Sequence, residues 1–168
     1  RFDEDQVRAM GRHVGGVKAI NLRRDDEVVG AEVVRPGATL LTVCENGFGK
    51  RTSLDEYPVQ GRGGLGVITI KTTARNGDVI SICEVMDGDE LIMITQHGVT
   101  IRTKIDEIRT ISRATQGVKI IGLDEGDRLI GVARIVEQPG GGDNGGDEDE
   151  DAGDDSDGSP EQTTLLPE

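Results

Sequence analysis

Short apolar runs alternate with polar turns along most of the chain, and no segment carries the i, i+3, i+4, i+7 apolar stripe of an amphipathic helix. Leu40-Leu41-Thr42-Val43-Cys44 and Leu91-Ile92-Met93-Ile94-Thr95 are β-rich runs, each followed by a turn signal, Asn46-Gly47 or His97-Gly98. Branched side chains suit a pleated, half-buried surface, and Gly reaches turn conformations closed to other residues. Val67-Ile68-Thr69-Ile70-Lys71-Thr72 and Asp78-Val79-Ile80-Ser81-Ile82-Cys83 flank Arg75-Asn76-Gly77. That arrangement predicts a further hairpin closed by a type I′ turn, whose two central residues both need positive φ.

The runs recur with a period. Gly11-Arg12-His13-Val14-Gly15-Gly16-Val17 superposes on Gly61-Arg62-Gly63-Gly64-Leu65-Gly66-Val67 and on Ser112-Arg113-Ala114-Thr115-Gln116-Gly117-Val118, placing Gly16, Gly66 and Gly117 at intervals of 50 and 51 residues. Upstream, Arg51-Thr52-Ser53-Leu54-Asp55-Glu56-Tyr57 matches Arg102-Thr103-Lys104-Ile105-Asp106-Glu107-Ile108 and, more weakly, residues 1–7. Downstream, Val28-Val29, Val79-Ile80 and Leu129-Ile130 follow a polar turn at the same point. Four strands in a unit of this length predict an all-β fold of propeller-like blades of four antiparallel strands. The blades are expected at 36–87 and 88–137, with half a blade at 1–35. Because a blade cannot bury both faces alone, this is expected to be part of an incomplete ring, with further units on the amino-terminal side.

Composition changes the picture at one end. Residues 138–168 hold eleven acids and no Lys or Arg, so residues 1–137 are near neutral at −2 although the whole chain is at −13. The segment is also Gly-rich and almost without apolar residues, too little to offset the entropy of ordering it. A disordered acidic tail is expected there, acting as a solubility device or competing with a polyanion for basic residues elsewhere. No run approaches the length of a membrane helix and no basic-then-apolar leader opens the chain, so a soluble, cytoplasmic protein without membrane contact is expected.

Inside the repeats the charge separates in the same way three times. Windows 1–24, 50–75 and 100–119 are each +3, whereas the remainder up to 137 is −11. Equivalent positions in repeated units lie at one level of the array, so the basic segments form one arc. A curved basic track suits a curved polyanion held through its phosphates without reading the bases. The candidate DNA-binding residues are Arg12, Lys18, Lys50, Arg51, Arg62, Lys71, Arg102, Lys104, Arg113 and Lys119. The competing reading pairs Arg12, Arg62 and Arg113 with the upstream acids Asp5, Asp55 and Asp106. Gly66 and its equivalents are read as turn glycines.

Other chemistries find little footing. Cys44 and Cys83 sit in strand-like runs and read as reduced, buried thiols; with only two His, no metal site is expected. No nucleophile–base pair or carboxylate cluster with useful spacing occurs in the repeats, and no Gly-Lys-Ser/Thr phosphate loop. Catalytic residues and bound cofactors are expected to be absent. Three aromatic residues argue against a protein-binding propeller.

Glu45-Asn46-Gly47-Phe48-Gly49-Lys50-Arg51-Thr52, then Glu56-Tyr57, then Gln60-Gly61-Arg62-Gly63-Gly64-Leu65-Gly66-Val67-Ile68, and Asp124-Glu125-Gly126-Asp127-Arg128 together closely resemble the carboxy-terminal domain of the DNA gyrase A subunit. The resemblance covers residues 1–137. It implies a six-bladed β-pinwheel with strands exchanged between neighbouring blades, a basic rim that bends double-stranded DNA, and a part in ATP-dependent negative supercoiling by a type II topoisomerase. It further implies a place in a heterotetramer with the rest of the gyrase A polypeptide; the ATPase B subunit completes the assembly, and ATP and Mg2+ are bound elsewhere in it. The family's cleavage tyrosine lies outside the matched region; Tyr57, equivalent to Val7 and Ile108, reads as a packing residue. Gly61 and Leu65 stand where the family's signature box has basic residues, so Gln60, Gly61, Arg62, Gly63, Gly64, Leu65 and Gly66 read as a degenerate box in a late blade. A topoisomerase IV-like subunit with a relaxing or unlinking role shares the fold and is the alternative.

Overall fold

The structure, a computed structural model, describes residues 1–135. They belong to a compact unit that runs from Arg1 to Glu137. The expected acidic tail at 138–168 lies outside the described residues.

The described residues are all-β, with three single-turn 3-10 helices at Glu4–Gln6, Leu54–Glu56 and Ile105–Glu107. These turns sit at equivalent points of the three repeats. The first hairpin joins β1 (Thr39–Cys44) to β2 (Phe48–Ser53), and after a long excursion β3 (Val79–Val85) returns to the other side of β1. The next repeat copies this with β4 (Glu90–Thr95), β5 (Thr100–Lys104) and β7 (Leu129–Ile135). Both sheets carry a register shift at the same place, between Val43 and Cys44 opposite β3 and between Ile94 and Thr95 opposite β7.

The strand exchange implied by the resemblance is present. β6 (Val118–Lys119) belongs to the third repeat but pairs with Phe48 and Gly49 of β2, so the repeats interlock through an exchanged strand. The sheets therefore run β3-β1-β2-β6, with a borrowed fourth strand, and β5-β4-β7. One expectation is corrected: the hairpin across Asn76-Gly77 does not form. Residues 67–72 are not a strand, and of the two turn residues only Gly77 has positive φ. Instead the Asn76 and Gly77 N–H groups both donate to Thr73 O, and β3 takes β1 as its partner. Residues 1–35 contain no strand.

Alternation decides the packing. Leu91, Met93 and Thr95 of β4 point inward, while Leu41, Thr42, Val43 and Cys44 of β1 are buried on both faces. Leu41, Val43, Val85, Leu91, Met93, Ile105, Ile108 and Leu129 form one core that joins the two sheets. Burying such side chains contributes about 1.5–3 kcal/mol each relative to exposure. Tyr57 is 6% exposed and Ile108 2%, as packing residues, whereas Val7 at the same point of the first repeat is 42% exposed.

A candidate nucleic-acid interface

In each complete repeat, the turn that follows the 3-10 helix lies against the preceding repeat. Gly16, Gly66 and Gly117 adopt φ of +77°, +76° and +77°, a left-handed conformation that a side chain disfavours. At Gly117 a Cβ would also stand 2.9 Å from Gly49 O, so the close approach of the third repeat to β2 requires the missing side chain. The turn reading of these glycines therefore holds.

The arginines beside these turns face the neighbouring repeat. Arg62 Nη1 donates to Lys18 O, and its Nε donates to Gln6 O at 3.3 Å. One repeat later, Arg113 Nη1 donates to Ile68 O at 3.0 Å, and Ile68 is the counterpart of Lys18. The backbone N–H groups match as well: that of Arg62 donates to Gln6 Oε1 and that of Arg113 to Glu56 Oε2, both at 2.8 Å. The suggested pairing with Asp55 and Asp106 is thus replaced by bonds to backbone carbonyls. Gln6 and Glu56 carried a usable signal, since they stand at equivalent positions with side chains of one length.

Lys50 must be withdrawn as a phosphate contact. It is fully buried, and its Nζ donates to Ser112 O at 2.6 Å and to Arg113 O. Burial pushes its ammonium below the ordinary lysine range, partly countered by Glu56. Arg51 is mostly covered, donating from Nε to Ile108 O and pairing at 2.6 Å with Asp87. Arg102 is exposed but pairs with Glu90. Arg12, Lys18, Lys71, Lys104 and Lys119 are exposed, and none of them makes an ion pair among the described residues. The segment 60–66 lies mostly at the surface beside residues 18–21, where Gly63 N–H donates to Ala19 O.

Asn76 had no charge to announce it. Fully buried, its side chain accepts from Thr73 N and Thr73 Oγ1 and donates to Lys71 O and Gln116 O, tying the 71–77 segment to the third repeat. Arg75, next to it, stacks 4.7 Å from the centre of the Phe48 ring. Both cysteines are free and buried. Burial, followed by Asp78 and Glu45, pushes the Cys44 thiol up to about 11, and burial raises Cys83 too, so neither is a ready nucleophile. Among the described residues no group of three or more His, Cys, Asp or Glu is placed to hold a metal ion, and no helix is long and apolar enough to cross a membrane.

The chain is 47% identical over 137 residues to the DNA gyrase A subunit of Salmonella typhimurium, covering 82% of this chain and 16% of that protein. It is 44% identical over 137 residues to the DNA gyrase A subunit of Escherichia coli K12, with the same coverage of 82% and 16%. It therefore spans about one sixth of the length of these curated relatives. The solved DNA gyrase A C-terminal domain superposes with a TM-score of 0.74 at 26% identity, over 80% of this chain and 46% of that one. The C-terminal domain of DNA topoisomerase IV gives the same TM-score, 0.74, at 24% identity over 80% of this chain and 42% of that one, which speaks to fold alone. The family described as DNA gyrase C-terminal domain, beta-propeller, matches residues 1–35, 38–82 and 89–135, and to that family this chain belongs.

Proposed function

We propose that this chain is part of the DNA-wrapping surface of a gyrase A polypeptide, holding duplex DNA along a curved row of basic segments. The observation that carries the reading is the threefold recurrence of +3 windows in a chain whose remaining repeat residues are at −11. Arg12, Lys18, Lys71, Lys104 and Lys119 are the exposed cations offered to phosphate, with Arg102 reachable by exchange from Glu90. Such contacts fix position and curvature without reading sequence. In this reading the wrapped segment supports ATP-dependent negative supercoiling, and the strand-passing chemistry, ATP and Mg2+ are supplied by the rest of the gyrase A polypeptide together with its ATPase partner. Family membership and relatives that carry the gyrase A name favour this over a relaxing, topoisomerase IV-like role.

Duplex binding measured across a salt series tests the proposal. Log affinity is expected to fall linearly with log salt, by about 0.9 for each phosphate neutralised. Replacing Lys71 and Lys119 with Gln should reduce that slope by roughly 2 without changing preference among sequences. A salt-independent affinity would overturn the reading.

A further inference from the structure

Two of the candidate DNA-binding arginines direct donors at backbone carbonyls of the preceding repeat, and the Nη1 bond recurs at equivalent positions. At the junction of the first and second repeats, Arg62 bonds Lys18 O and Gln6 O, while beside it Asn21 N–H donates to Gly64 O at 2.8 Å. At the next junction Arg113 bonds Ile68 O, and Lys71 N–H donates to Thr115 O, again at 2.8 Å. A second rung recurs as well, Gln60 N–H to Arg1 O at 3.0 Å and Ile111 N–H to Arg51 O at 2.9 Å. Every one of these bonds crosses from one repeat to the next. At Arg113 the Nε is buried without a partner, so the guanidinium makes one bond where Arg62 makes two. Lys50 compensates there: its ammonium crosses the same junction to Ser112 O and Arg113 O.

We propose that Arg62 and Arg113 are positioning residues for DNA wrapping, which clamp successive repeats at a fixed angle and so set the curvature of the basic row, instead of contacting phosphate themselves. The DNA half of this inference rests on the function proposed above; the clamp half does not. At Arg62 the planar guanidinium holds Nε and Nη1 in a fixed geometry that reaches Gln6 O and Lys18 O together, a spacing that the single nitrogen on the flexible stem of a lysine does not copy; at Arg113 one bond from Nη1 is joined by those of Lys50. Loss of the Arg62 fork or of the Arg113 bond would loosen its junction, and small changes of angle add up along a repeat array.

The test uses the full-length chain with two double variants, Arg62→Gln with Arg113→Gln, and Arg62→Lys with Arg113→Lys. Amide hydrogen exchange at Asn21 and Lys71 reads the junctions, and exchange at Leu41 and Val43 reads the core. Energy transfer between the ends of a bound duplex reads its bending, and a salt series reads the number of phosphates neutralised. Both variants should speed exchange at Asn21 and Lys71 roughly ten-fold or more with the core unchanged, and both should lower the bending. The Lys variant should keep the wild-type salt slope while failing to restore the bend. Wild-type bending and unchanged junction exchange in the Lys variant would overturn the clamp and return these residues to phosphate contact. Global loss of core protection in the Gln variant leaves the decision with the milder Lys variant. Salt-independent binding by the wild type would sink the DNA reading alone, and junction exchange would still decide whether the clamp exists.

Discussion

Asn76 shows what a single uncharged side chain does in this fold. Its amide satisfies groups on residues 71 and 73 of its own loop and reaches Gln116 in the next repeat, with no exposure to solvent. Replacing it with Ala would orphan several buried groups at once. Asn76→Ala is expected to lower stability by about 3 kcal/mol, read as a shift of the urea midpoint. Lys50 makes the same point from the charged side. Its position in a basic window suggested phosphate, but its ammonium replaces water with two carbonyls of the third repeat. Charge was legible in the sequence; burial was not, because it depends on a neighbour more than sixty residues away.

Among the elements, the turn before β7 is held by one carboxylate. Burial alone would raise the pKa of Asp127, yet hydrogen bonds from Thr95 and from the N–H groups of Arg128 and His97 bring it below the ordinary value. A depressed carboxylate contributes stability above its unfolded pKa, about 3.9, and that contribution is lost as pH falls through the lower folded value. Asp127→Asn should therefore be less stable than the wild type near neutrality, with the gap closing below about pH 3.9; thermal melts at several pH values check this. The two true hairpins were readable because Gly47 and Gly98 both take the positive φ their turns demand. Asn76-Gly77 misled because the same dipeptide serves a loop whose strand partners lie elsewhere: β3 pairs with β1, and the counterpart of 67–68 in the third repeat, β6, is given to the preceding sheet.

At the scale of the whole molecule, a protein at −13 is proposed to hold a polyanion, which requires the charges to stay apart. Repetition achieves that within the folded region. For residues 138–168, we propose that their eleven acids compete with DNA for the basic row. Deleting them should tighten duplex binding at low salt and have little effect at high salt, where screening already weakens the competition. Equal affinity with and without the segment at low salt would reduce it to a solubility device.

The sequence by itself determined the all-β character, the repeat near 50 residues, the strand runs at 40–44 and 91–95 with their turns at Asn46-Gly47 and His97-Gly98, and the threefold separation of charge. Each is written in local periodicity, turn residues or composition, and needs no knowledge of distant contacts. The family resemblance implied an exchanged strand, but only the tertiary structure decided that β6 is the strand that crosses and that the sheets hold four strands and three. It also decided that Lys50, Arg62 and Arg113 point their cations at neighbouring carbonyls while Lys71 and Lys119 stay in solvent. Strand exchange and burial are relations between segments far apart in the sequence, more than sixty residues for β6 and for Lys50, and a basic side chain carries no local mark of which of its two uses the fold will make.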